Sequence, residues 1–256
     1  MLSLILLEYR KLFGARSARF ALAVCALLPF LWSFAPGLQD VYNLVLVSAW
    51  QVPALAMLTA AQFLLPLFIS ITCAEMIGTE IAQGTLAPLL LRPLNRSKVI
   101  LAKLVAALTY PAILLATLLL FGLIAGARFG FMDFAGGTGL TPAGFVGAGV
   151  TTTATALMET LRGFGIAALT LMPIAALAVL FGILYLNTAA AALATIATLQ
   201  VMRLLIVFPK AFQKILLTTH LDAYLRAAPA ESLVLLMIYT VGFSLLALFI
   251  FERKDV

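Results

Sequence analysis

The chain has 256 residues, 64% of them hydrophobic and only 10% charged, with a formal net charge of +6 and a mean hydropathy of +1.16. A water-soluble domain of this length needs far more polar surface to cover its core, so a soluble globular protein is excluded. The positive surplus does not point to nucleic acid, because the basic residues flank apolar runs, where they set topology and meet anionic headgroups.

The N-terminal "LSLILLEYRKLFGARSARF" reads as an amphipathic helix on the inner membrane surface. Leu4, Leu7, Lys11 and Leu12 share one stripe, with Glu8, Arg10 and Arg16 elsewhere. Six apolar stretches follow, at 18–36, 51–73, 100–126, 164–186, 189–208 and 231–251, each about the length of a membrane-crossing helix. They are Leu/Ala-rich and lack strict alternation, which suits helices rather than barrel strands. No small-x-small cleavage site follows the first run, so no cleavable signal is expected. The expected fold is an all-α polytopic membrane protein forming a single transmembrane domain over 1–256.

With the N-terminus inside, ten basic residues fall on the cytoplasmic side and six outside, which favours both termini in the cytoplasm. The second span carries Pro53, Pro66, Gln51 and Gln62, and the two glutamines, about three turns apart, project from one face. An amide at that depth needs a polar partner or a wet cavity, so helix-to-helix contact and a substrate path are both open.

The Gly- and Thr-rich stretch 127–162 reads as an external loop ending in a short amphipathic helix, "TALMETLRGFG"; a seventh span within 143–158 would instead put the C-terminus outside. The tight link "LYLNTAAAA" joins spans four and five, with Asn187 suited to a left-handed turn and Thr188 to a cap. Arg203, close to Pro209, is expected to snorkel outward. Phe212, Ile215, Leu216 and Thr219 then share a face, so 210–228 reads as a shallow amphipathic helix or re-entrant hairpin outside. His220 and Asp222 are too few to make a metal site, and Cys25 and Cys73 read as packing residues.

One polar interruption, "CAEMIGTEIAQGTLAPLLLRPLNRSKVILAK" from Cys73 to Lys103, has more punctuation than a tether requires. "AEMIGTEIAQ" reads as a short helix stopped by Gly84, Thr85 caps a second one in "LAPLLL", and Asn95 or Ser97 caps the third span. Two short helices at the membrane face make a docking surface for a soluble partner. The chain carries no GxxxxGK[ST], HExxH or GxSxG motif, so no catalytic or nucleotide-binding residues are assigned.

The run Glu75, Glu80, Gly84, Thr85, Leu86, Leu89, Leu90, Pro93, Asn95, Arg96, Leu101 and Lys103 resembles the permease subunits of type-2 ABC exporters. The basic amphipathic N-terminus, six spans, the "YLNTAAAA" link and a final "FERKDV" extend the resemblance along the whole chain. Gln83, Pro88 and a long third-to-fourth connection depart from the family's pattern.

The resemblance implies an ATP-driven exporter in the inner membrane of a prokaryote, with the ATPase, and hence ATP and Mg, on a separate subunit and no cofactor of its own. A second permease copy, identical or paralogous, would complete it. Glu75, Glu80, Gly84, Thr85, Leu89, Arg92 and Arg96 would form the coupling element. Spans two and five would line the path, with Gln51, Gln62, Thr195 and Gln200 on them. The apolar walls suit a hydrophobic or amphipathic cargo such as a drug, peptide antibiotic or lipid. The alternatives are an ion-coupled secondary transporter, which ordinarily carries carboxylates or histidine within its spans, and a non-transporting scaffold or immunity subunit.

Overall fold

The structure, a computed structural model, describes residues 1–38, 44–84, 96–147 and 149–253. It is all-α apart from one small hairpin. Six helices are long and apolar enough to cross a membrane: Arg16–Phe34, Leu64–Ala82, Ser97–Phe129, Thr153–Tyr185, Thr188–Val207 and Ala230–Arg253. The polytopic architecture expected from the apolar runs is the one the chain adopts.

Helix α1 (Leu2–Gly14) meets α2 (Arg16–Phe34) at Ala15, whose extended backbone turns the chain between them. The buried residues of α1 are Glu8 and Leu12, whereas Leu7 is exposed, so the inward face is not the expected apolar stripe. Glu8 turns inward because two lysines await it there.

The second apolar run is not one helix. α3 (Gln51–Gln62) and α4 (Leu64–Ala82) are separated by Phe63 at φ −141°, ψ −51°. Pro66 is the cause: it lacks the N–H that the carbonyl of Gln62 would accept, and its ring would strike that carbonyl in a continuous helix. Once α4 starts at Leu64, the proline lies in its first turn, where no such bond is required. α4 then runs past residue 73, so "AEMIGTEIA" is its last turns rather than a separate short helix. Gly84 ends it in a left-handed conformation (φ +63°), its N–H bonded to the carbonyl of Ile81 at 3.0 Å. The expected second short helix, with Thr85, Leu89 and Arg92, lies outside the described residues.

α5 (Arg96–Gly126) and α6 (Thr153–Tyr185) are both longer than the apolar runs within them. The expected amphipathic helix "TALMETLRGFG" is the start of α6, because Thr152 caps it by accepting from the N–H of Thr155 and Asp133 accepts from that of Thr153. Strands β1 (Phe134–Ala135) and β2 (Val150–Thr151) pair antiparallel in the connection before it.

Between α6 and α7 (Thr188–Leu204) the left-handed residue is Leu186 (φ 54°), not Asn187. Asn187 instead caps α7, its side chain accepting from the N–H of Ala190 at 3.0 Å. Satisfying that orphan donor offsets a left-handed leucine, which costs about 1–2 kcal/mol. A short helix, α8 (Lys210–Gln213), and a 3-10 segment over Leu217–Leu225 lead to α9 (Ala230–Arg253).

α6 is the centre of the bundle: 72% of its most apolar window is buried, against 17% for α9 at the periphery. α4 and α7 pack so closely that a Cβ on Gly78 would strike Thr188, lying 2.7 Å from its backbone nitrogen. Cys25 and Cys73 are both free and buried, as packing residues are.

Candidate functional site: a buried charge cluster beneath the first helix

α4, α5 and α1 bring four charges together where the first helix crosses the end of the bundle. The ammonium of Lys103, only 1% exposed, donates to Glu80 at 2.7 Å, to Glu8 at 2.9 Å and to the carbonyl of Met76 at 3.1 Å. An ammonium has three donors, and all three are used. Lys11 adds contacts to Glu80 at 2.6 Å and Glu8 at 3.2 Å. Glu8, Glu80 and Lys103 are buried while Lys11 is half-exposed at the rim, and because two lysines and two glutamates sum to zero, burial of the inner three is tolerable. Burial opposes the charge on Lys11, but its bonds to Glu80 and Glu8 prevail and hold its amine above the ordinary 10.5.

A polar string continues from the cluster. Glu75 accepts from the hydroxyl of Ser17, Thr72 reaches Ser17 at 3.4 Å, and the hydroxyl of Tyr110 lies 3.3 Å from Thr72. Nearby, Ser97 donates to Glu252, tying α9 to the start of α5 at the same end. A cavity of about 400 Å³ opens beside the cluster, lined by Glu8, Lys11, Thr72, Glu75, Thr79 and Glu80 among others. Five helices are thus tied by polar contacts around one end of the bundle.

The sequence-predicted coupling residues divide three ways. Glu80 is 7% exposed and engaged inside the chain; Glu75 is half-buried against Ser17; Gly84 is exposed in the turn that ends α4. Thr85, Leu89 and Arg92 lie outside the described residues, and Arg96 opens α5.

The predicted path residues divide as well. Gln62 and Gln200 come together on one exposed surface with Arg203. Gln51 does not join them: it is 2% exposed and holds the loops at the other end of α3, accepting from Val47 at 2.8 Å and donating to the carbonyl of Gly137 at 3.5 Å. Thr195 is fully buried, its hydroxyl bonded back to Ala191 at 2.8 Å.

Arg203 points its guanidinium at the carbonyl of Gln62, 2.5 Å away, and is half-buried rather than free at the surface. His220 uses both ring nitrogens, on Ser232 at 2.9 Å and on the carbonyl of Lys214 at 2.8 Å. It fastens the 3-10 segment to α9.

Sequence reasoning missed Glu8 and Lys11 as partners of Glu80 and Lys103. The signal was present in Lys103, which lies two turns inside an apolar helix and so requires a carboxylate from elsewhere.

A family model described as "Protein of unknown function (DUF2705)" matches residues 21–256. The chain belongs to this family. A search of curated proteins found no match. The DUF2705 match includes Glu75, Glu80 and Lys103 but begins after α1, so Glu8 and Lys11 lie outside it.

Proposed function

We propose that this DUF2705 protein is the membrane-spanning subunit of an ATP-driven exporter. It works with a separate ATPase and a second membrane subunit, and passes a hydrophobic or amphipathic cargo between the halves. The observation that carries the reading is the clamp at the α1 end. α4 runs unbroken from its proline-set start to Ala82, just before the turn at Gly84 that borders the stretch resembling a coupling element, and Glu80 locks that end to α1 and α5. A push on residues 85–95 would pass into α4, α5 and the first helix together, because a largely buried cluster held by four ion pairs does not slide. α4 meets the α3 break beside Gln62 and Gln200, so the same push would move the exposed surface where these two amides come together.

In this reading the α1 face is cytoplasmic, both termini are inside, and the ATP chemistry belongs to the partner. Glu80 serves as an internal transmitter, while Glu75 and the turn at Gly84 lie nearer the partner.

The test is co-purification of a P-loop ATPase from the native membranes, identified by mass spectrometry, with transport measured in the same membranes, for wild type, Glu75→Ala and Gly84→Val. Gly84→Val is expected to leave the permease inserted while ATPase retention and transport both fall. Wild-type retention and transport in Gly84→Val, or no ATPase captured by wild type, would overturn the proposal.

A further inference from the structure

Away from the charge cluster lies a second polar cavity, of about 240 Å³, between α3, α6, α7 and the 3-10 segment Leu217–Leu225. Arg203 and Asp222 line it, together with Gln62, Thr170, Thr219 and Tyr224. The four ion pairs among the described residues all belong to the charge cluster, so Arg203 and Asp222 face one cavity without pairing within 4.0 Å of each other. A cation and an anion that line one small cavity unpaired, along with the hydroxyl-bearing Thr170, Thr219 and Tyr224, complement a zwitterion. An anion alone would meet Asp222, and a cation alone would meet Arg203.

Two further observations give the ligand a tail. Arg203 lies 15 residues along α7 from Thr188, which packs on Gly78 near the charge cluster. At the helical rise that is about 22 Å, close to the far boundary of a hydrocarbon core about 30 Å thick. Immediately beyond it, Leu204, Ile206, Val207, Phe208, Phe212 and Ile215 form an exposed apolar ridge, and Ile206 also lines the cavity. A polar head in the cavity would leave an acyl chain against that ridge.

We infer that this cavity binds the head of a zwitterionic membrane amphiphile. Its phosphate sits on the guanidinium of Arg203, its ammonium on the carboxylate of Asp222, and its tail along the ridge from Leu204 to Ile215. Arg203 can serve both roles, because a guanidinium has five donors and its bond to the carbonyl of Gln62 uses one. The inference names a cargo or regulator class for the proposed membrane path, but its test reads binding to the isolated chain. Failure here leaves ATPase binding untouched, and the reverse also holds.

The experiment places the purified protein in nanodiscs containing a trace of lipid that carries an acyl-chain diazirine, with either a phosphatidylethanolamine or a phosphatidylglycerol head. Photolabelling of peptides spanning 204–225 is then quantified. Wild type is expected to be labelled about fivefold more by the ethanolamine lipid, and Asp222→Asn to lose that preference while keeping the glycerol signal. Arg203→Lys is expected to keep part of the preference and Arg203→Gln to lose it. Because Asp222 is exposed, Asp222→Asn leaves the fold intact and guards against a result due to misfolding. Displacement of the label by soluble glycerophosphoethanolamine would show that the free head suffices, and absence of displacement that the anchored lipid is required; both support the site. Equal labelling by the two lipids in wild type, or an unchanged preference in Asp222→Asn, would overturn it.

Discussion

The guanidinium of Arg203 donates to the carbonyl of Gln62 at 2.5 Å, across 141 residues of sequence. That carbonyl is the acceptor which Pro66 cannot serve. An arginine in an apolar helix and a proline in another thus answer each other: one breaks a backbone bond and the other supplies the missing donor. Within a bilayer an unserved carbonyl is costly, so both are needed at once.

The first prediction is a double-mutant cycle. Arg203→Met alone is expected to destabilise the protein by about 1–3 kcal/mol, the cost of an unsatisfied polar group. Pro66→Ala restores the N–H and allows α3 and α4 to join, so Arg203→Met in that background is expected to cost far less. Unfolding in a detergent titration measures the coupling; additive effects would mean that Arg203 does not act through Gln62.

The charge cluster makes a second prediction. Lys103→Met leaves two carboxylates facing one half-exposed lysine and is expected to cost roughly 3–5 kcal/mol, as loss of one partner of a buried pair does. Adding Glu80→Leu restores neutrality, with Glu8 and Lys11 still paired at 3.2 Å. The double variant is therefore expected to be more stable than Lys103→Met alone in the same thermal assay.

The pH dependence follows from Lys11. Its folded-state amine is held above the ordinary 10.5, so its contribution is fully present below 10.5 and is lost as pH rises through the raised value. Stability from this residue is therefore expected to be flat across neutral pH and to decline only under strongly alkaline conditions. Lys11→Met is expected to abolish the alkaline decline attributable to this group, measured as the difference between the two pH profiles.

The fold was legible because bilayer length and apolar composition dictate helices directly: six such helices are found, five on the expected runs and the second displaced from 51–73 to Leu64–Ala82. Their ends were less legible. α6 begins before its apolar run because Thr152 and Asp133 cap it, and α4 continues through Glu75 and Glu80 because those carboxylates find partners inside the protein. Proline positions were visible in the sequence, but Pro66 breaks a helix while Pro29, Pro111 and Pro173 lie inside continuous ones. The difference at residue 66 rests on Arg203, a contact no local pattern reveals. The charge cluster was hidden for the same reason: Glu8, Glu80 and Lys103 come from three elements, and only the fold brings both carboxylates within 3 Å of the lysine's ammonium.

The last prediction separates packing from turn geometry with two glycines on one helix. A Cβ on Gly78 would strike Thr188, lying 2.7 Å from its backbone nitrogen and 3.0 Å from its Cα. Backbone cannot move aside as a side chain can, so Gly78→Ala must pry α4 from α7, and overpacking of this kind typically costs about 1–3 kcal/mol. Gly84 has nothing within 4 Å of the same atom, but its φ is +63°. Substitution there meets no neighbour and strains only its own backbone, most for a β-branched residue and least for asparagine, which tolerates the left-handed region. Gly78→Ala is therefore expected to lower the melting temperature, whereas Gly84→Asn stays near wild type in both stability and ATPase retention. Gly84→Val is expected to keep most of the stability but lose retention, because it distorts only the end of α4 that leads into 85–95. Equal thermal losses for Gly78→Ala and Gly84→Val would show that the turn at Gly84 is part of the packed fold rather than the edge of a docking surface.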